Sequence, residues 1–148
     1  TKAKAVTAGY SLNLINQNRL ESWNQYYSGL KPLQEQGYLK LPFVPEICVH
    51  NAHMFYIKVD NLIVRTKLID FLNEKEIGAV FHYVPLHSST FGKSNSTFWG
   101  SDLFTTQESE RIIRLPLWYG LKSSQIKQVI EVVRDFFNHK EAYLSKEI

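Results

Sequence analysis

The stretch from Met54 to Tyr83 constrains the fold of this chain more than any other. MFYIKV (54–59) is aromatic and β-branched, the composition of a strand buried on both faces. Asp60-Asn61 can cap a following helix that runs to about Glu76, with Val64, Leu68, Phe71 and Leu72 on its inner stripe. Gly78 follows Ile77, where the end of a helix calls for a left-handed residue. AVFHY (79–83) then reads as a second strand, so the segment is a βαβ unit.

The flanks add helices to that unit. A first helix is expected over roughly 12–30, with Leu12, Ile15, Trp23, Tyr26, Tyr27 and Leu30 near one face, before Pro32 and Gly37 break the pattern. LKLPFVP (39–45) is a short extended piece kinked by two prolines. From Leu86 to Gly100 the chain is rich in Ser, Thr, Asn and Gly and reads as a long surface loop. Thr105 or Thr106 caps a short helix through Glu108–Arg111, and IIRLPLWY (112–119) is a third extended segment. Ser123 or Ser124 then caps a last helix, whose stripe of Ile126, Val129, Ile130, Val133, Phe136 and Phe137 is the clearest helical period in the chain. The expected fold is α+β: a short mixed or antiparallel sheet of about three strands packed with helices.

Composition narrows the function classes. A chain of 148 residues fits one domain, and 44% hydrophobic residues supply a core. No apolar run approaches the ~20 residues needed to span a bilayer, and TKAKAVTAGYSLNL at the start is too polar for a signal peptide. A soluble cytoplasmic protein is the expectation. The net charge of +3 is spread along the chain, which argues against nucleic acid and is compatible with an anionic small molecule. The single cysteine, Cys48, excludes an internal disulfide and is expected to be a buried, inert thiol. The sequon Asn95-Ser96-Thr97 would matter only in a secreted protein.

The candidate chemistry centres on FHYVPLH (81–87). Four of the five histidines fall in two pairs, His50 with His53 and His82 with His87. A metal site is disfavoured, because an offset of three along an extended chain points side chains to opposite faces and no carboxylate or cysteine stands at ligand spacing. A serine hydrolase is disfavoured too. There is no GxSxG, and SSTFG (88–92) lacks the strand–turn–helix setting of a nucleophile elbow. The 7 glycines are scattered, so no phosphate loop exists either. What remains open is either a structural corner or two imidazoles and a phenol at the end of a strand, able to hydrogen-bond a polar, anionic ligand.

Three stretches, INQNRLESWNQYYSGL (15–30), HNAHMFYIKV with RTKLIDFLNEKEIGAVFHYVPLH (within 50–87), and TTQESERIIRLPLWYGL (105–121), occur in an order and at spacings that resemble one family. They are similar to the C-terminal part of the nucleotide-sugar aminotransferases of the DegT/DnrJ/EryC1/StrS group, over about residues 15–139. The resemblance implies the small C-terminal domain of a fold-type I, pyridoxal-phosphate-dependent transferase, a homodimer. It also implies transfer of an amino group from glutamate to a dTDP-4-keto-6-deoxy sugar for surface polysaccharide biosynthesis, such as that of enterobacterial common antigen. The family's cofactor-bonding lysine and the aspartate that pairs with the pyridine nitrogen lie upstream of the matched region. Lys58, Lys67, Lys75 and Lys93 do not stand in a comparable setting.

The whole of 1–148 is therefore expected to be one small domain lacking the N-terminal PLP-binding domain, with 1–14 an atypical or frayed leader containing Gly9 and Ser11. On its own it is expected to bind no cofactor and to have no catalytic residue. In the family, the turn after the second small-domain strand faces the substrate cleft. The resemblance thus implies substrate-binding roles for His82, Tyr83 and His87, with Asn51 and His53 beside them. The alternative is a stand-alone binding or interaction module that keeps the fold without catalysis.

Overall fold

In the computed structural model the described residues are 2–145, with side chains described from Leu12 onward. The chain runs through α1 (Lys2–Glu35), β1 (Phe55–Lys58), α2 (Leu62–Glu74), β2 (Val80–Phe81), α3 (Thr90–Asn95), α4 (Thr105–Ser109), β3 (Ile112–Leu115), α5 (Ser123–Asn138) and α6 (Lys140–Leu144). The class is α+β, as the sequence predicts.

The three strands form one antiparallel sheet in the order β1-β3-β2. β3 pairs with β1 in the register Phe55 with Leu115 and Ile57 with Ile113, and with β2 in the register Val80 with Arg114. Both outer strands run antiparallel to β3, so β1 and β2 are parallel to each other with β3 inserted between them. The expected βαβ unit is present, but split.

Burial alternates along β1 and β3. Phe55, Ile57, Ile113 and Leu115 face a core shared with Tyr26, Leu30, Leu68, Leu72, Ile126, Val133 and Phe136 of α1, α2 and α5. Tyr56, Lys58, Ile112 and Arg114 lie on the other face and stay half-buried. This corrects the expectation of a β1 buried on both faces: helices cover one face of the sheet only. β2 is also shorter than AVFHY, two residues long and exposed, as an edge strand can be.

Several boundaries differ from the sequence expectation. α1 is helical from Lys2 and continues through Pro32 to Glu35. Pro32 deprives the Ser28 carbonyl of its usual donor, yet Leu30 and Leu33 on either side are buried, and that packing outweighs the lost bond. Gly37, at φ +80°, ends the helix, with the Tyr38 amide donating to the Leu33 carbonyl at 3.0 Å. α2 ends the same way through Glu76, not Gly78. Glu76 takes φ +59°, and the Ile77 amide donates to the Leu72 carbonyl at 2.9 Å. Burial of Ile77 offsets the roughly 1 kcal/mol that a side chain costs in that conformation.

The stretch after Leu86 is not one open loop. It holds a 3-10 turn at Leu86–Ser88, and α3 is capped by the Ser89 hydroxyl, which accepts from the Gly92 amide at 3.0 Å. The Thr106 amide at the start of α4 donates to Asp102 Oδ1 at 3.2 Å, so Asp102 and not a threonine supplies that cap. α5 starts with Lys122 as its N-cap residue, whose amide donates to Gln125 Oε1 at 3.1 Å. Its six predicted stripe residues are all buried. Cys48 is exposed, contrary to expectation: it lies in the turn after Pro45, which no helix covers. Among the described residues no helix is long and apolar enough to cross a membrane.

Candidate functional site

Arg114 is the polar residue of a central strand whose neighbours Ile113 and Leu115 point into the core. Alternation therefore places its side chain on the sheet face that no helix covers, across from Tyr56 on one side and Val80 on the other. There its Nη1 lies 3.3 Å from His82 Nδ1 and 3.4 Å from the Tyr83 hydroxyl. A guanidinium can only donate, so His82 Nδ1 accepts and the ring proton sits on Nε2. The His82 and Tyr83 rings stack at 3.9 Å, and the peptide between them is cis.

Electrostatics follow from this contact. His82 titrates below the ordinary imidazole range, first because its surroundings are partly desolvated, then because Arg114 and His53 disfavour a second positive charge. At neutral pH the cluster therefore carries one fixed cation, a neutral imidazole and a phenol. Such a donor set suits a carboxylate or phosphate bound bidentately by the guanidinium, with hydroxyl groups beside it.

The other predicted residues are distributed differently. His53 is exposed, and its amide donates to Asn51 Oδ1 at 3.3 Å across Ala52, which takes φ +48°. Asn51 thus shapes the turn that carries His53 toward His82. His50 is not part of the site, because its ring packs edge-on against Trp23 at 4.7 Å. His87 does not join His82. Its Nε2 lies 2.9 Å from Asp102 Oδ2 and 3.4 Å from Thr106 Oγ1, and its ring packs 4.4 Å from that of Phe98. The Thr106 hydroxyl also donates to Asp102 Oδ2. These bonds, Thr106's first, hold the Asp102 carboxyl below the usual carboxylate range.

Sequence reasoning missed two residues here, Arg114 and Asp102. Arg114 carried a signal, as the lone charge in the apolar strand IIRL within a stretch that resembles the family. Asp102 carried none, because GSDLF reads as an ordinary polar loop.

Among the described residues no three His, Cys, Asp or Glu side chains converge as a metal site. A groove of about 470 Å³ between α1 and α5 is lined by Asn24, Ser28, Lys127 and Arg134, away from the histidines and from Arg114. The site on the open sheet face is a wall and not a pocket. No lysine belongs to it, and the Lys58 ammonium on the same face is already paired with Glu108. The residues gathered here thus fit an anionic, hydroxylated ligand and do not fit the aldehyde of pyridoxal phosphate, for which they offer no amine.

Known proteins share this architecture. A sequence profile of the DegT/DnrJ/EryC1/StrS aminotransferase family matches residues 10–134. The aminotransferase TlmJ from Streptoalloteichus hindustanus superposes with a TM-score of 0.76 at 23% identity, over 88% of this chain and 34% of its own. A family aminotransferase from Brucella abortus gives 0.68 at 26% identity, over 82% and 31%. NtdA from Bacillus subtilis, solved with bound cofactor PMP, gives 0.71 at 25% identity, over 84% and 29%. The chain spans about a third of the length of these solved relatives. With a family match across most of its length and the same fold, the chain belongs to the DegT/DnrJ/EryC1/StrS aminotransferase family.

Proposed function

We propose that this chain is the small C-terminal domain of a pyridoxal-phosphate-dependent sugar aminotransferase. The full enzyme moves an amino group from glutamate to a dTDP-4-keto-6-deoxy sugar, giving dTDP-4-amino-4,6-dideoxygalactose for a surface polysaccharide such as enterobacterial common antigen. It acts as a homodimer in the cytoplasm, with the cofactor held by an N-terminal domain outside residues 1–148. The domain alone is inactive, and its part is to close the substrate site.

The observation that carries the reading is the Arg114, His82 and Tyr83 cluster on the uncovered sheet face. A guanidinium flanked by neutral hydrogen-bonding groups can hold an anion and orient hydroxyls without supplying a reactive group. A second feature supports it. Leu86, Phe91, Trp99, Leu103 and Phe104 are all mostly exposed, an apolar load along one segment that a free-standing domain rarely carries.

The bound cofactor would supply the electron sink for amino transfer. The residues of this domain bind and orient: Arg114 takes a carboxylate or phosphate, His82 donates through Nε2–H, and the Tyr83 hydroxyl donates or accepts. The test is to add pyridoxal phosphate to the purified chain and record visible absorbance. No stoichiometric band is expected, and a band abolished by changing one lysine would overturn the assignment.

A further inference from the structure

His87 and Asp102 form a carboxylate–imidazole pair that is separate from the Arg114 cluster. Asp102 Oδ2 faces His87 Nε2 at 2.9 Å, its Oδ1 accepts from the Thr106 amide at 3.2 Å, and Thr106 Oγ1 donates to Oδ2. An ionised carboxylate can only accept, so the nitrogen facing it must carry the proton. In the neutral ring the opposite nitrogen, Nδ1, then holds a lone pair, and it has no partner among the described residues. The His87 side chain keeps 19% of its surface accessible, so that lone pair is not sealed in.

We infer that Asp102 is a positioning residue that fixes His87 as a hydrogen-bond acceptor through Nδ1, so that His87 recognises a hydroxyl of the sugar and not an oxyanion. This rests on the proposed substrate-facing role of the loop after β2. It divides the labour within that loop. The Arg114 cluster supplies donors for an anion, whereas the His87 pair supplies an acceptor for a neutral hydroxyl, and a phosphate oxygen placed against Nδ1 would meet two facing lone pairs. The geometry also explains why Asp102 caps α4. A single carboxylate ties the loop after β2 to α4 and holds the ring against Phe98.

The deciding variant is Asp102→Asn. The amide oxygen can keep the Thr106 amide bond, while its NH₂ now faces His87 Nε2 and demands an acceptor there. The imidazole should turn over to the Nδ1–H tautomer, the consequence expected when an orienting carboxylate becomes an amide. Histidine ¹⁵N–¹H correlation spectra of the chain, at about pH 8.5 and above the ordinary imidazole value near 6.5, read this directly. The wild type should show a single neutral Nε2–H form, Asp102→Asn the Nδ1–H form, and Thr106→Val the wild-type form. A mixed, inverted or still doubly protonated ring in the wild type, or no change in Asp102→Asn, overturns the inference. If Asp102→Asn fails to fold, the wild-type spectrum alone still decides the tautomer.

In the full-length aminotransferase with a dTDP-4-keto-6-deoxyhexose, Asp102→Asn should lower kcat/KM about twofold, no more than His87→Ala does, with cofactor loading unchanged. A tautomer switch without a kinetic change would overturn the hydroxyl-recognition role and with it the substrate-facing reading of the loop. It would leave the orientation by Asp102 standing.

Discussion

Arg114 Nη1 lies 3.3 Å from His82 Nδ1, and the contact joins the middle of the sheet to the end of its edge strand. It has a consequence for pH. Desolvation first, and then the Arg114 charge, lower the His82 value in the folded chain, so the unfolded chain binds a proton more readily. Stability is then greatest above the unfolded imidazole value of about 6.5, and falls as pH drops from there toward the lower folded value. Thermal melts of wild type and His82→Gln between about pH 8 and pH 5 should show a larger loss for the wild type. Equal losses would place the titration on other histidines.

A second prediction concerns the crossing of α1 and α5. An ideal Cβ on Gly29 would stand 2.5 Å from Ile130 Cδ1, closer than van der Waals contact allows. Gly29→Ala gains about 0.5–1 kcal/mol of helix propensity, but overpacking costs typically 1–3 kcal/mol. A net destabilisation of roughly 1 kcal/mol should appear in denaturant titration. Ile130→Val removes the offending carbon, so Gly29→Ala should cost less in that background. Simple additivity of the two changes would show that the crossing is loose.

The cap of α2 gives a third. Asn61 Oδ1 accepts from the Val64 amide at 3.1 Å. Asn61→Ala should cost about 1 kcal/mol, whereas Asn61→Asp, which keeps the acceptor, should cost little. Matching losses in the two variants, measured by chemical unfolding, would mean that the bond contributes nothing.

What could be read from the sequence divides along physical lines. The stripes of α2 and α5 were legible because a helix that buries one face repeats every three to four residues, and Val64, Leu68, Ile126 and Val133 obey that period. Asn61 was legible because capping is a local hydrogen bond. Strand burial was not, because MFYIKV reads the same whether one face is covered or two, and only the placement of the helices decides. Glu76 in a left-handed conformation was hidden for a similar reason: the penalty is offset by the burial of Ile77, a tertiary effect. In the site, the chain segments that carry His82 and His53 were visible as strand ends. That His82 turns to Arg114 and His87 to Asp102 depends on contacts 32 and 15 residues apart in the chain, which no local pattern encodes.

The last prediction weighs the members of the Arg114 cluster in the full-length aminotransferase. A guanidinium meets a carboxylate or phosphate through two parallel N–H groups, and an ammonium cannot reproduce that fork. Arg114→Lys should therefore lower kcat/KM about tenfold while the charge remains. His82→Ala removes one neutral hydrogen bond, commonly about 0.5–1.5 kcal/mol, so a fall of roughly two- to tenfold is expected. His87→Ala should have a smaller effect than His82→Ala, because His82 follows directly on β2 whereas His87 sits on a 3-10 turn. All three side chains are at least partly solvent-accessible, so melting temperatures should move little. The kinetics are to be measured at matched folded concentration, with cofactor loading checked by absorbance. Melting temperatures that drop while kcat/KM per folded molecule stays constant would make the cluster a structural corner of the sheet. A larger effect on KM than on kcat would place the lost contact in ground-state binding, the outcome expected of a wall that holds the substrate without entering the chemistry.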